Sequence, residues 1–207
     1  MMRVLGRITS INVRKVLWAL DELGESYERE DWGMPLRNPH EPEFLALNPN
    51  AQVPVVIEED GPTLWESNAI LIYLAQTRKA LLPLEPHALG QSLQWLIWQA
   101  TELNPPWMYA VHALARKTPG YDDQAKIAES IAGWTRRMAI LEGELAQGRP
   151  FIAGESFSIA DIALALSVHR WFITPFADKA DLPSVAAYYD RMRAREAGAR
   201  WMPDDTV

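Results

Sequence analysis

Two short segments carry residue types that together can grip a small zwitterionic peptide. The first is Asn48-Pro49-Asn50-Ala51-Gln52-Val53-Pro54, which runs straight into the apolar Val55-Val56-Ile57. The second is Trp65-Glu66-Ser67-Asn68-Ala69-Ile70. A strand-like Val53 offers its backbone N–H and C=O to an extended ligand, as an added strand would. Ser67 stands where a helix should open, and a helix start presents unpaired N–H groups and a positive dipole end to an anion. Glu66 beside it can accept from a ligand ammonium. A carboxylate at Ser67 with an ammonium at Glu66 complements one amino-acid end of a peptide. Each segment also has a plainer reading. Only about 5–6% of X-Pro bonds in folded proteins are cis, so spacing alone favours a trans proline opening an edge strand. An isolated serine at a helix start is more often an ordinary N-cap.

A third segment, Arg7-Ile8-Thr9-Ser10-Ile11-Asn12-Val13-Arg14-Lys15-Val16, also leads into a helix. Ser10 or Asn12 suits an N-cap. The same hydroxyl or amide at a positive helix end suits a thiolate. Lowering a thiol pKa of about 8.5 by roughly 2 units requires about 2.7 kcal/mol. One charge-assisted hydrogen bond plus a helix N-terminus supplies that order of magnitude. The chain contains no cysteine. Any thiol in the chemistry must therefore arrive on the ligand, and disulfides, thiolate metal sites and a cysteine nucleophile are excluded. The four histidines, at 40, 87, 112 and 169, show neither metal-ligand spacing nor a triad order, and no phosphate loop occurs, so no metal is expected.

The elements that must position these residues are legible as patterns. Residues 2–8 suit a short strand. Val13, Val16, Leu17, Leu20 and Leu23 fall at helical spacing over about Asn12 to Leu23, with Gly24 at the C′ position. Ser26 to Asp31 alternates like a strand, and Gly33 to Pro42 should be loop. Val55–Glu58 and Thr63–Trp65 flank an Asp60-Gly61 turn, a hairpin signal. Ser67 to Gln76 reads as helix. Residues 79–88 read as a linker between a unit spanning 1–78 and one spanning 89–207. Downstream the pattern is helical only: Gln91–Thr101, a break or bend at Pro105-Pro106, a resumption over Ala110–Arg116, and a long helix over Asp122–Gln147. Phe157-Ser158-Ile159-Ala160-Asp161-Ile162 carries a capping box with a hydrophobic staple, a structural device that contributes about 1 kcal/mol.

Bulk properties narrow the partners. The chain has 207 residues and a net charge of −7, which argues against nucleic acid or an anionic membrane as the main partner. No apolar run reaches membrane-spanning length, and Met1 to Arg7 lacks the apolar core of a signal peptide. A cytoplasmic location is the expectation. The nine tryptophans are expected to be mostly core.

Over nearly its whole length the sequence resembles the cytosolic glutathione S-transferase family. Val53-Pro54 ahead of the Asp-Gly hairpin and the string Trp65 to Ile70 carry the resemblance. It implies an α/β thioredoxin-like N-terminal domain followed by an all-α helical domain. It also implies a cis Val53-Pro54 bond, glutathione as cosubstrate, and the γ-glutamyl end held by Glu66 and Ser67 with Gln52 as a further contact. Trp32, Arg37 and His40 become candidates for the glycyl carboxylate. At the first helix, Ser10 falls where serine-type enzymes keep their thiol-activating serine, and Asn12 falls where a bacterial branch uses asparagine. The bacterial serine- and asparagine-type, theta- or nu-like branches therefore fit best, with Ser10 ranked ahead of Asn12. Tyrosine- and cysteine-type enzymes are excluded by this segment, and the zeta-type pattern is missing. The second, electrophilic and mostly apolar substrate is expected against aromatics near the Pro-Pro step, among them Trp95, Trp98, Trp107, Tyr109 and His112. Packing is the competing role for each. A homodimer engaged in detoxification follows from the family, with Gln99 and Glu102 as partner-facing candidates. A glutathione-dependent disulfide or peroxide reductase, or a non-catalytic glutathione-binding protein, remain the alternatives.

Overall fold

The computed structural model describes residues 1–205. The chain divides into two compact units, Met1–Leu82 and Pro83–Val207. The first threads β1 (Met2–Leu5), α1 (Ile11–Leu23), β2 (Tyr27–Glu30), α2 (Pro42–Leu45), β3 (Val55–Ile57), β4 (Thr63–Trp65) and α3 (Ser67–Arg78). Its sheet runs in the order β2-β1-β3-β4. β1 is parallel to β2, which requires a crossover through α1, whereas β3 and β4 join antiparallel through the short Asp60-Gly61 turn. Val55 faces Trp65 across that hairpin and Ile57 faces Thr63. This places the end of the Gln52-Val53-Pro54 segment beside the start of α3.

α1 buries Val13, Val16, Leu17 and Leu20 completely, as its spacing demands, and Gly24 closes it at φ 67°. Leu5, Trp32, Phe44 and Val55 form a core cluster of this unit. β1 stops at Leu5 rather than running to residue 8, and the next residue, Gly6, has no room for a side chain. A Cβ on Gly6 would lie 2.4 Å from Val13 Cγ2 and 3.3 Å from Val53 Cβ. That close approach brings the first turn of α1 and Val53 together at the end of β1. The Gly33 to Pro42 stretch is irregular as expected, but it ends in the single turn of α2, whose Pro42 takes the first helical position.

The second unit is helical: α4 (Pro86–Trp98), α5 (Asn104–Ala110), α6 (Gln124–Leu145), α7 (Ile159–Ile173), α8 (Pro183–Arg193) and α9 (Glu196–Trp201). α4 begins inside the stretch read as linker. Pro86 is an initiator there, and the Glu85 carboxylate accepts from the amides of His87 and Ala88. Pro105-Pro106 does not break the helix either. The Asn104 N–H bonds five residues back to the Gln99 carbonyl, so the backbone passes through a π turn just before the prolines open α5. Ser130 of α6 then enters the α5 ladder. Its hydroxyl donates to the Pro106 carbonyl and accepts from the Ala110 N–H at 3.0 Å. Gly133, one turn further along α6, lets the helices close up, since a Cβ there would meet Pro106 Cβ at 3.3 Å. The interior of the unit is aromatic, with Trp134 packed edge-on to Trp171 at 5.1 Å between ring centroids.

α7 opens on the capping box read from the sequence. The buried Asp161 carboxylate accepts four hydrogen bonds, from the Ser158 N–H (2.9 Å), the Ser158 hydroxyl (3.0 Å), the Ile152 N–H (2.9 Å) and the Tyr188 hydroxyl (3.1 Å). No helix of the described residues is long and apolar enough to cross a membrane.

Candidate active site

The first unit carries a cavity of about 330 Å³, lined by Asn12, Asn48, Asn50, Gln52, Val53, Pro54, Trp65, Glu66 and Ser67. Three separate stretches of chain converge on it: the first turn of α1, the segment entering β3, and the junction of β4 with α3. The size falls in the range of about 300–1,000 Å³ typical of small-molecule sites.

At the α3 end the backbone is arranged to receive an anion. Glu66 occupies the N-cap position at φ 73° and ψ 105°, a conformation that side-chain-bearing residues rarely adopt, and it makes no side-chain cap. Its carbonyl accepts the first helical bond, from Ile70 N–H at 2.9 Å. Ser67 is therefore the first helical residue. It is buried to 5% exposure, and neither its amide nor its hydroxyl has a hydrogen-bond partner among the described residues. A free N–H and a free O–H thus face one cavity at a positive helix end. The exposed Glu66 carboxylate stands next to them.

The middle of the cavity is formed by Val53. The Val53-Pro54 bond is cis, in line with the resemblance. No backbone hydrogen bond within the described chain uses the Val53 N–H or C=O. The loop that delivers it is held by Asn48, a buried side chain. Its amide donates to the Gln52 carbonyl at 2.7 Å, and its oxygen accepts from both the N–H and the side chain of Asn50 at 3.0 Å. Asn48 and Gly6 are supporting residues that the sequence did not reveal as such. Asn-Pro-Asn reads as generic turn chemistry, and the steric role of Gly6 depends on Val13 and Val53 approaching it in three dimensions.

At the α1 end the two candidates separate. Asn12 lines the cavity, whereas Ser10 does not. Ser10 is the N-cap residue of α1 by position, its carbonyl accepting from Arg14 N–H at 3.0 Å, but its hydroxyl makes no cap. Arg14 and Lys15, a charged pair of the kind a helix usually turns to solvent, are 2% and 1% exposed. The Lys15 ammonium donates to Asn68 Oδ1 at 3.2 Å.

Other expected contacts lie elsewhere. Trp32 is a core residue, packed on Phe44 at 4.9 Å between centroids and covered by the Arg37 guanidinium at 3.8 Å. Arg37 itself pairs with Glu41 and Glu43. His40 is exposed and does not line the cavity. Trp32 and His40 thus do not line this cavity, and the apolar surface of Trp32 is used by the core. In the second unit Trp107 is likewise a core residue, its ring closed between Trp134 and the Arg170 guanidinium, with Nε1 donating to Asn104. Tyr109 and His112 are brought together through Tyr121, whose ring lies 4.9 Å and 4.5 Å from theirs. Burial, helped by Arg116 and Arg170, pulls His112 below the ordinary histidine pKa.

Comparison with known proteins adds to this geometry. A family model described as the glutathione S-transferase N-terminal domain matches residues 1–76, and one described as the C-terminal domain matches residues 124–191. Glutathione S-transferase GstB of Escherichia coli (strain K12) is 32% identical over 200 residues, 95% of either chain. The chain belongs to the glutathione S-transferase family. Among the family's solved structures, the theta class glutathione S-transferase of the citrus canker pathogen Xanthomonas axonopodis pv. citri, with glutathione bound, superposes with a TM-score of 0.91 at 32% identity. The match covers 97% of this chain and 96% of that one. A further relative in sequence, the disulfide-bond oxidoreductase YfcG of Escherichia coli (strain K12), is 32% identical over 165 residues, 75% of this chain and 74% of its own.

Proposed function

We propose that the protein binds glutathione in the cavity of its first unit and transfers the glutathione thiolate to an electrophilic, largely apolar second substrate. The γ-glutamyl carboxylate lies at the open start of α3, against the Ser67 hydroxyl and amide, and the γ-glutamyl ammonium meets Glu66. The peptide backbone pairs with Val53, and Gln52 contacts the ligand beside it. The thiol points toward α1, where Asn12 and, behind it, Ser10 are the candidate stabilisers of the thiolate. One observation carries this reading: Val53 and Ser67, each with an unused backbone or hydroxyl donor, open into the same cavity as Asn12. In the reaction the thiol gives its proton to solvent, sulfur forms a bond to the electrophilic carbon, and the leaving group departs with its electron pair. Proximity and thiolate stabilisation carry the rate. The protein acts as a homodimer in the cytoplasm under this reading, with no metal.

Calorimetric titration with glutathione and a conjugation assay on a generic aryl halide test it, with Ser10→Ala and Asn12→Ala alongside the wild type. Asn12→Ala should lower kcat/KM more than Ser10→Ala does. Absence of glutathione binding by the wild type overturns the reading.

Disulfide reduction is the second reading, favoured by the cavity position of Asn12 and the likeness to YfcG. One glutathione thiolate attacks a substrate disulfide and releases a substrate thiol. A second glutathione attacks the mixed disulfide, releasing the other thiol and glutathione disulfide. Parallel assays on an aryl halide and on a small organic disulfide separate the two activities.

A further inference from the structure

Lys15 has an unusual place for a helix lysine. A flexible four-carbon stem normally carries the ammonium to water, yet this residue is 1% exposed. Burying an ammonium is unfavourable unless polar groups receive it, and here Asn68 Oδ1 accepts it at 3.2 Å. Both ends of this link belong to elements that form the cavity. Lys15 lies three residues after Asn12, on the same face of α1, since residues three apart are neighbours on a helix. Asn68 follows Ser67 directly and is the second residue of α3. The link therefore ties α1, about one turn after Asn12, to the first turn of α3. It also sets a full positive charge near a helix start whose own dipole is worth only about half a charge.

We propose that Lys15 is a positioning residue for the carboxylate end of the ligand. Through Asn68 it fixes the first turn of α3, so that the Ser67 amide and hydroxyl stay aimed at the cavity, and its charge favours an anion bound there. This rests on the reading that the cavity takes glutathione. Because the link meets α3 rather than the thiol, its effect falls on binding and not on the chemical step.

The test compares wild type, Lys15→Met, Lys15→Arg and Asn68→Ala, with glutathione and with S-methylglutathione, which keeps both carboxylates but has no ionisable thiol. Lys15→Met should raise the Kd of both ligands about tenfold by the same factor and leave kcat at saturating glutathione within twofold. The pH at which the bound thiol ionises, followed by ultraviolet thiolate absorbance, should not move. Asn68→Ala should raise Kd severalfold, and the Lys15→Met/Asn68→Ala double variant should be no worse than Lys15→Met alone. Lys15→Arg should recover most of the affinity. Should Lys15→Met not fold, the Asn68→Ala and Lys15→Arg values decide the matter. Unchanged Kd in Asn68→Ala, or a fall in kcat with Kd constant, overturns the proposal. Failure of wild type to bind either ligand sinks the glutathione reading itself, a distinct result.

Discussion

At the start of α3, Glu66 is held at φ 73° and the Ser67 amide and hydroxyl have no hydrogen-bond partner among the described residues. At the start of α7, Ser158 is closed in by Asp161, and the same carboxylate reaches Ile152 and Tyr188. The two segments look alike as sequence, each a serine opening an apolar helix with an acid nearby. Their difference lies in where the acid stands. Asp161 comes three residues after its serine, where it can fold back on the N–H groups. Glu66 is the N-cap residue itself, and at φ 73° its carboxylate makes no cap. A helix start that satisfies its own donors stabilises the fold; one that leaves them open toward a cavity is prepared for a ligand.

Substitutions can break or sharpen that contrast. The largest effect is expected at α7. Asp161→Ala strands the Ile152 and Ser158 amides in the interior, and should lower unfolding free energy in urea by about 3 kcal/mol or more. The glutathione Kd of the folded fraction should stay within twofold. At α3 the pattern reverses. Ser67→Ala should weaken glutathione about tenfold or more, the loss of a hydrogen bond to a charged group, while stability changes by less than about 0.5 kcal/mol. Glu66→Gly should weaken glutathione by removing the ammonium acceptor, yet leave stability equal or higher by up to about 1 kcal/mol, because glycine accepts the positive φ without strain. A drop in stability here would mean that the Glu66 backbone is not strained.

The smallest effect is a pH dependence at a third helix start. Burial raises the Glu142 carboxyl, but the amides of Ser184 and Val185 at the opening of α8 outweigh it and hold the group below the usual glutamate range. A depressed folded pKa stabilises the protein above the unfolded value of about 4.3, and that contribution is lost as the pH falls through the folded pKa. The urea midpoint of wild type should therefore exceed that of Glu142→Gln at pH 7, with the gap narrowing below about pH 4. Asp161 differs in sign, since burial raises its carboxyl above the usual aspartate range. An equal gap at both pH values would remove the Glu142 contact from the account.

What the sequence revealed follows the same division. The Asp60-Gly61 hairpin, the Gly24 terminator and the Ser158–Asp161 box are local devices, each set within a few residues. The helix start at Ser67 was legible because the string Trp65 to Ile70 carries its own opening signal. Elements decided by distant partners were not legible. Pro105-Pro106 looks like a break until Ser130, on another helix, enters the ladder. Lys15 looks solvated until α1 meets α3 at Asn68. Trp32 looks like a ligand contact until Phe44 and Arg37 enclose it. Ser10 and Asn12 stand two residues apart, and only the rotation of α1 relative to Val53 decides which one faces the cavity.

A crystal structure of the protein with glutathione bound tests the central claim most directly. The γ-glutamyl carboxylate should accept from the Ser67 hydroxyl and amide, the ligand backbone should pair with Val53, and the sulfur should lie within hydrogen-bonding distance of the Asn12 side chain. Glutathione bound away from Ser67, with the α3 start left open, would contradict it.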